Sequence, residues 1–199
     1  MARILFLTLG TLAVGTGTYA FLGVLEALAN DLNVPIAVGG QVSSVFAVIY
    51  ALCAPLLVTW TSPLPRRLLL TGALVLFGTF NFLCAVAPDF SSLLVLRVAA
   101  AVGAYKFTPV DMAPEAYHAP EGQHGEAMAM VVGGLTLAFL IGIPAGSILG
   151  EILGWRSTFV FAGTLSFIAA LLLPLGLPPA PGAPGQGLRA IGVAFRPAV

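Results

Sequence analysis

Six apolar stretches, each long enough to cross a bilayer, run almost end to end through this chain, at residues 4–28, 40–61, 67–87, 91–113, 126–150 and 157–177. A hydrocarbon core about 30 Å thick requires about 20 apolar residues per helix, and the short joints between the stretches leave no material for a soluble domain. Apolar residues make up 59% of the chain and charged residues 8%, against about 45–50% and about 25% in soluble domains. The expectation is an all-α integral membrane protein, a six-helix bundle over 1–177 with a Pro/Gly-rich cytoplasmic tail at 178–199. Arg3 and the first apolar run could open a secretory signal, but the run continues through Phe21, Leu22, Val24 and Leu25, too long for a signal core.

Other chemistry is excluded early. Cys53 and Cys84 fall inside spans, without CxxC spacing or a partner His, and read as small buried apolar residues. His118, Glu121 and His124 lie in a Pro/Gly loop with no helix to aim them, so no metal site is expected. There is no phosphate-binding glycine loop, no nucleophile elbow and no basic cluster suited to nucleic acid. Neither an enzyme nor a cofactor is expected.

Basic residues in short loops resist translocation and so set orientation. If the spans alternate, Arg3, Arg66, Arg67, Arg189 and Arg196 share one side, while the opposite loops hold Arg156 with Asp31, Asp89 and Glu151. That five-to-one count places both termini and the Arg66-Arg67 turn in the cytoplasm, in a multi-pass protein of the inner or plasma membrane. The 114–126 loop falls on the cytoplasmic side yet carries Glu115, Glu121 and Glu126 without Lys or Arg.

Glycine spacing is the strongest local signal. Gly142, Gly146, Gly150 and Gly154 recur every four residues, which aligns them on one helical stripe and lets a neighbouring backbone approach closely. Pro144 interrupts the stripe and removes a helix hydrogen bond, so a bend is expected there. Close helix packing and a flexible gate are both compatible with this pattern.

With these features in place the chain resembles a known family. GTGTYAFLGVLEALANDLNVP at 15–35, APLLVTW followed by LPRRLLLTG, APDFSSLLVLRVAAAVGA, and GGLTLAFLIGIPAGSILGEILGWRSTF at 133–159 are similar to segments of the major facilitator superfamily. The likeness runs over about residues 5–178 and points to the arabinose-efflux-permease-like branch of the drug/proton antiporters. The glycine/proline stretch ending in GWRxxF looks like the antiporter-type motif of the fifth helix. The resemblance implies two inverted three-helix repeats, helices 1–3 and 4–6, forming half of a twelve-helix fold in which two bundles rock around a midplane substrate. Departures are also visible. The loop between helices two and three keeps only the basic end of its motif, Arg66 and Arg67; in helix four Arg97 and Gly103 survive while Ala100 and Ala101 replace a Gln and a Gly. Thr18 stands where related sequences often carry a helix-one Glu.

Ionisable groups within apolar spans are costly and read as functional candidates. Arg97, Lys106 and Asp111 all fall in the fourth span, and on an ideal helix Arg97 and Asp111 lie about 40° apart. Arg97 is read as a cavity-facing charge that binds an anionic substrate or tunes a titrating group, or else as a structural contact to helix carbonyls. Lys106 faces the pathway or snorkels to the interface. Asp111, with Glu115, forms an acidic patch at the inner mouth and is the remaining carboxylate able to take up a coupling proton. Tyr105, Tyr19, Tyr50 and Asn81 supply polar tips for a largely apolar cavity or pack as hydrogen-bonded core residues.

The tail, PPAPGAPGQGLRAIGVAFRPAV, reads as a flexible linker and the amphipathic end of the family's central loop, where a seventh helix would follow. The functional expectation is proton-coupled efflux of a drug- or sugar-like molecule by alternating access. Its partners are the lipid bilayer, the substrate, possible protons and a second six-helix bundle, from another copy or a separate chain. The alternative is a non-transporting six-helix membrane interaction protein or a truncated transporter remnant.

Overall fold

The computed structural model describes residues 2–61, 63–107 and 124–176, so Asp111, Glu115, His118, Glu121 and the 178–199 tail lie outside the described residues. All regular structure among the described residues is helical. The first span is built from α1 (Ala2–Tyr19), a 3-10 segment (Ala20–Val24) and α2 (Leu25–Asp31). A short α3 (Ile36–Gly39) leads into α4 (Gln41–Thr61), followed by α5 (Arg66–Ala85) and α6 (Phe90–Ala104), which ends in a 3-10 turn (Tyr105–Phe107). The remaining helices are α7 (His124–Leu137), a π-helical turn (Ala138–Gly142), α8 (Ile143–Leu153) and α9 (Arg156–Gly176). Among the described residues five runs are long and apolar enough to cross a membrane, and Phe90–Ala104 is a shorter apolar helix.

Local chemistry accounts for the ends and breaks. Asp89 caps α6: Ser92 N donates to Asp89 Oδ1 at 2.8 Å, and Asp89 N donates to Ser92 Oγ at 3.4 Å, a reciprocal capping box. Pro65 precedes α5, and half-buried Arg66 and Arg67 form its first turn. Pro144 has no N–H to donate to the carbonyl four residues back, and the helix adopts the wider π pattern over Ala138–Gly142 immediately before it. Several hydroxyls within the spans are satisfied locally. Thr18, Ser147, Thr164 and Ser166 each donate to the carbonyl four residues earlier, which spares water-excluded backbone and side chain alike.

The first span is the most enclosed, and α4 and α7–α8 are the least. α9 packs along α5 and α1, α5 along α6, α1 along α7, and α4 along α6. The 3-10 segment of the first span packs on α8, and the π turn packs on α1. A Cβ placed on Gly142 would meet the Thr16 side chain, one on Gly146 would stand 2.7 Å from Ala20 Cβ, and one on Gly150 would meet the Val24 side chain. Both helices therefore contribute a four-residue rhythm to one seam, and the missing side chains let the backbones approach.

Gly154 does not continue that seam. α8 ends at Leu153, and Gly154 takes φ 84°, ψ 155°, with nothing within 4 Å of the point where a Cβ would stand; its role is to turn the chain in a region that L-residues avoid. Gly154→Ala should therefore cost about 1–3 kcal/mol from backbone strain alone. Gly133→Ala, in helical backbone with equally open space, should be neutral or stabilising by up to about 1 kcal/mol. Thermal unfolding of both variants in nanodiscs checks the difference.

Candidate functional site

A cavity of about 290 Å³ opens between α1, α4, the end of the fourth span and α7. Its α1 wall is Thr11, Val14, Gly15, Thr18 and Tyr19; its α4 wall is Ser43, Phe46, Ala47 and Tyr50; Phe107 and Leu135 complete it. Thr11, Val14, Gly15 and Thr18 stand at i, i+3, i+4 and i+7, and so do Ser43, Phe46, Ala47 and Tyr50. Each set is one stripe on one helix face. The stripes mix small, hydroxyl and aromatic residues, so they leave room between the helices while keeping polar tips. Sequence reasoning named Tyr19 and Tyr50 and missed the shared spacing that carries the other wall residues.

No Asp, Glu, Lys, Arg or His is among these lining residues. Thr11 Oγ1 donates to Thr8 O at 2.9 Å and Thr18 Oγ1 to Val14 O at 2.7 Å. With its proton committed to a backbone carbonyl, the Thr18 hydroxyl presents its lone pairs as a hydrogen-bond acceptor. Aromatic faces supply the apolar part: Phe46 stacks on Tyr50 with centroids 6.0 Å apart, and Tyr19 meets Phe139 of the π turn at 4.6 Å.

Arg97 does not line this cavity. It is wholly buried behind the α1 wall, its Nη1 donating to Gly17 O at 3.0 Å. Its guanidinium carbon lies 4.7 Å from the Phe21 ring centre, 4.8 Å from that of Phe159 and 5.6 Å from that of Phe46. A cation without bulk water is better held by a carbonyl and several ring faces than by an open apolar void, so Arg97 follows the carbonyl-contact alternative and not the cavity-facing one. Asn81 also turns inward, donating from Nδ2 to Phe77 O at 2.8 Å on the buried face of α5. Tyr105 is buried at the end of α6, its hydroxyl donating to Thr61 Oγ1 at 2.9 Å. Lys106 has its backbone in the adjoining 3-10 turn. Gly103 lies where α6 meets the Phe77 backbone.

A second polar group closes the other end of the bundle. Trp155 Nε1 donates to Asp31 Oδ2 at 2.9 Å, Arg156 forms an ion pair with the same oxygen, and Arg156 Nη2 reaches Ala87 O at 3.4 Å. The GWRxxF segment thereby ties α2, the α5–α6 turn and α9 together. Trp155 meets Phe159 edge-on at 5.8 Å, and Phe159 stacks on Phe21 at 6.3 Å, so ring contacts run from this exposed cluster to Arg97. The pairing of Asp31 with Trp155 and Arg156 spans more than 120 residues, and no local spacing announces it.

The profile of the Major Facilitator Superfamily matches residues 7–198. The chain belongs to that superfamily. The MFS-type transporter YbcL of Bacillus subtilis (strain 168) is 34% identical over 88% of this chain and 45% of its own length. The chloramphenicol resistance protein of Streptomyces lividans is 33% identical over 77% of this chain and 39% of its own. The chain thus spans less than half the length of these superfamily relatives. A crystal structure of a bacterial homolog of the human lysosomal transporter Spinster, inward-facing and unoccupied, superimposes with a TM-score of 0.70 at 21% identity, over 92% of this chain and 43% of that one. The likeness establishes the fold: these helices form half of a major facilitator fold.

Proposed function

We propose that this bundle forms one half of a carrier that exports an uncharged, amphipathic small molecule by alternating access, with a second six-helix bundle completing the cavity. The cavity between α1 and α4, whose described lining holds no charged side chain and offers ring faces and the Thr18 lone pairs, carries this reading. A charged substrate would lose its hydration there without gaining a partner, whereas an aromatic or sugar-like molecule bearing hydroxyl or amide donors matches both ring faces and lone pairs. The efflux character draws on the chloramphenicol resistance relative and on a 26% identical probable sugar efflux transporter of Mannheimia succiniciproducens. The second bundle would seat on the weakly enclosed α4 and α7–α8, where Val48, Leu52, Leu140 and Ile148 stand exposed beside the cavity.

In this reading both termini face the cytoplasm, as the distribution of arginines favours. Proton coupling would fall to Asp111, because Thr18 replaces the carboxylate of helix one. The test is uptake into proteoliposomes containing the chain with a co-expressed second bundle. Neutral phenolic or polyol probes should show counterflow that organic cations and anions of similar size do not. Failure of every neutral probe, or equal movement of charged ones, overturns the substrate assignment; undiminished pH dependence in Asp111→Asn removes that residue from coupling. Thr18→Val keeps shape and removes one acceptor, so it should raise KM for a hydroxyl-bearing probe by about fivefold, the equivalent of about 1 kcal/mol.

A further inference from the structure

We infer that Arg97 and Asn81 hold an internal water molecule between α5 and α6, behind the cavity wall. Both side chains are 0% exposed. Arg97 spends Nη1 on Gly17 O, and its Nε and Nη2 have no partner in the protein. Asn81 spends Nδ2 on Phe77 O, and its Oδ1 has none. Unpaired polar atoms in an apolar interior are expensive, and such orphans mark the places where ordered water or an ion resides.

Packing brings these orphans into one layer. Phe77, one turn before Asn81, packs its ring on Gly17, the residue whose carbonyl receives Arg97, and meets Phe46, which lies over the guanidinium. Cys84 and Ala85, one turn after Asn81, pack with Phe21 and Phe159, the two rings closest to the same guanidinium. Asn81 therefore stands on the buried face of α5 between two groups of residues that both enclose the Arg97 head. The helices run in opposite directions, since Gly103 meets Phe77 while Leu93 shares the cluster of Cys84.

Chemistry then selects the ligand. The orphans are two donors, Nε and Nη2, and one acceptor, Oδ1. A water molecule accepts from the guanidinium and donates to the amide oxygen, reaching the roughly two to four partners that buried waters make. A small anion would satisfy the donors but set its charge against the Oδ1 lone pairs. The water completes the solvation of a cation that has no carboxylate partner among the described residues. It thereby steadies the hold of Arg97 on Gly17, next to the cavity residues Thr18 and Tyr19.

The test uses the full chain in lipid nanodiscs and X-ray hydroxyl-radical footprinting read by mass spectrometry. Phe21, Phe159 and Cys84, although buried, should be labelled promptly in the wild type, and the label should take up heavy oxygen slowly after mixing with heavy-oxygen water. In Asn81→Leu, labelling at these three should fall several-fold while labelling at Leu64, exposed in the α4–α5 turn, stays unchanged. Absence of label at all three in the wild type overturns the proposal, as does undiminished label in a folded Asn81→Leu. Should Asn81→Leu fail to fold, the wild-type labelling and its isotope exchange decide alone. A wild-type melting temperature that rises with chloride or bromide over gluconate, and loses that response in Arg97→Met, would assign an anion and overturn the water.

Discussion

Gly103→Ala is expected to destabilise the bundle by about 3 kcal/mol, at the upper end of the usual overpacking range. A Cβ at Gly103 would stand 2.6 Å from Phe77 N and 2.9 Å from Phe77 Cα. Both atoms are backbone, so no rotamer change relieves the clash, and α5 and α6 must separate along a seam where they pack extensively. Separation would also disturb the Phe46–Phe77 edge contact, whose rings lie 6.4 Å apart, and through it the Arg97 enclosure. Gly72 is the matched control. It lies in the same helix as Phe77, yet nothing stands within 4 Å of its Cβ position, so Gly72→Ala should be neutral or stabilising by up to about 1 kcal/mol through helix propensity. Reversible unfolding in mixed micelles, or melting in nanodiscs, should separate the two variants by several degrees. Equal melting temperatures would mean that the α5–α6 seam yields without cost.

Gly103 also shows which parts of the molecule were legible in advance. The membrane class and helical fold follow from run length and composition, because a bilayer imposes one span length on every helix. The glycine rhythm of the fifth span was equally readable, since four-residue spacing can mean one stripe only; what it could not reveal was that Thr16, Ala20 and Val24 of the first span supply the facing rhythm. The α6 cap went unread, although Asp89 stands three residues before Ser92. The orientation of Arg97 was not legible. A helical wheel gives the face from which a side chain departs, but an arginine reaches several ångströms farther, and its endpoint depends on which carbonyl another helix offers. That carbonyl belongs to Gly17, 80 residues away. Asn81 takes the second of the two roles its sequence context left open: an amide in an apolar span can bond its own helix, as this one does with Phe77 O. Gly154 kept the four-residue spacing while losing the helix that gave the spacing meaning.

Arg97→Ala should be among the most damaging single changes, costing about 3–5 kcal/mol, the range seen when a large core side chain is truncated. Two effects compete at this site, and a pair of variants separates them. Truncation leaves Phe21, Phe159 and Phe46 around an unfilled space and strips Gly17 O of its donor. It also removes a buried cation, which is favourable, because a charge without a carboxylate partner costs free energy in a medium without bulk water. Arg97→Met retains most of the volume and ring contact while removing the charge, so it should recover most of the loss. It should fall within about 1–2 kcal/mol of the wild type, the residual reflecting the unpaired Gly17 carbonyl. If the methionine variant were as unstable as the alanine variant, the hydrogen bond to Gly17 would outweigh packing, and Arg97 would act chiefly as the clamp on the end of α1. If packing dominates instead, the family's surviving helix-four arginine serves this bundle first as a filler of the aromatic layer. Its charge then remains a liability that the surrounding rings and polar groups contain.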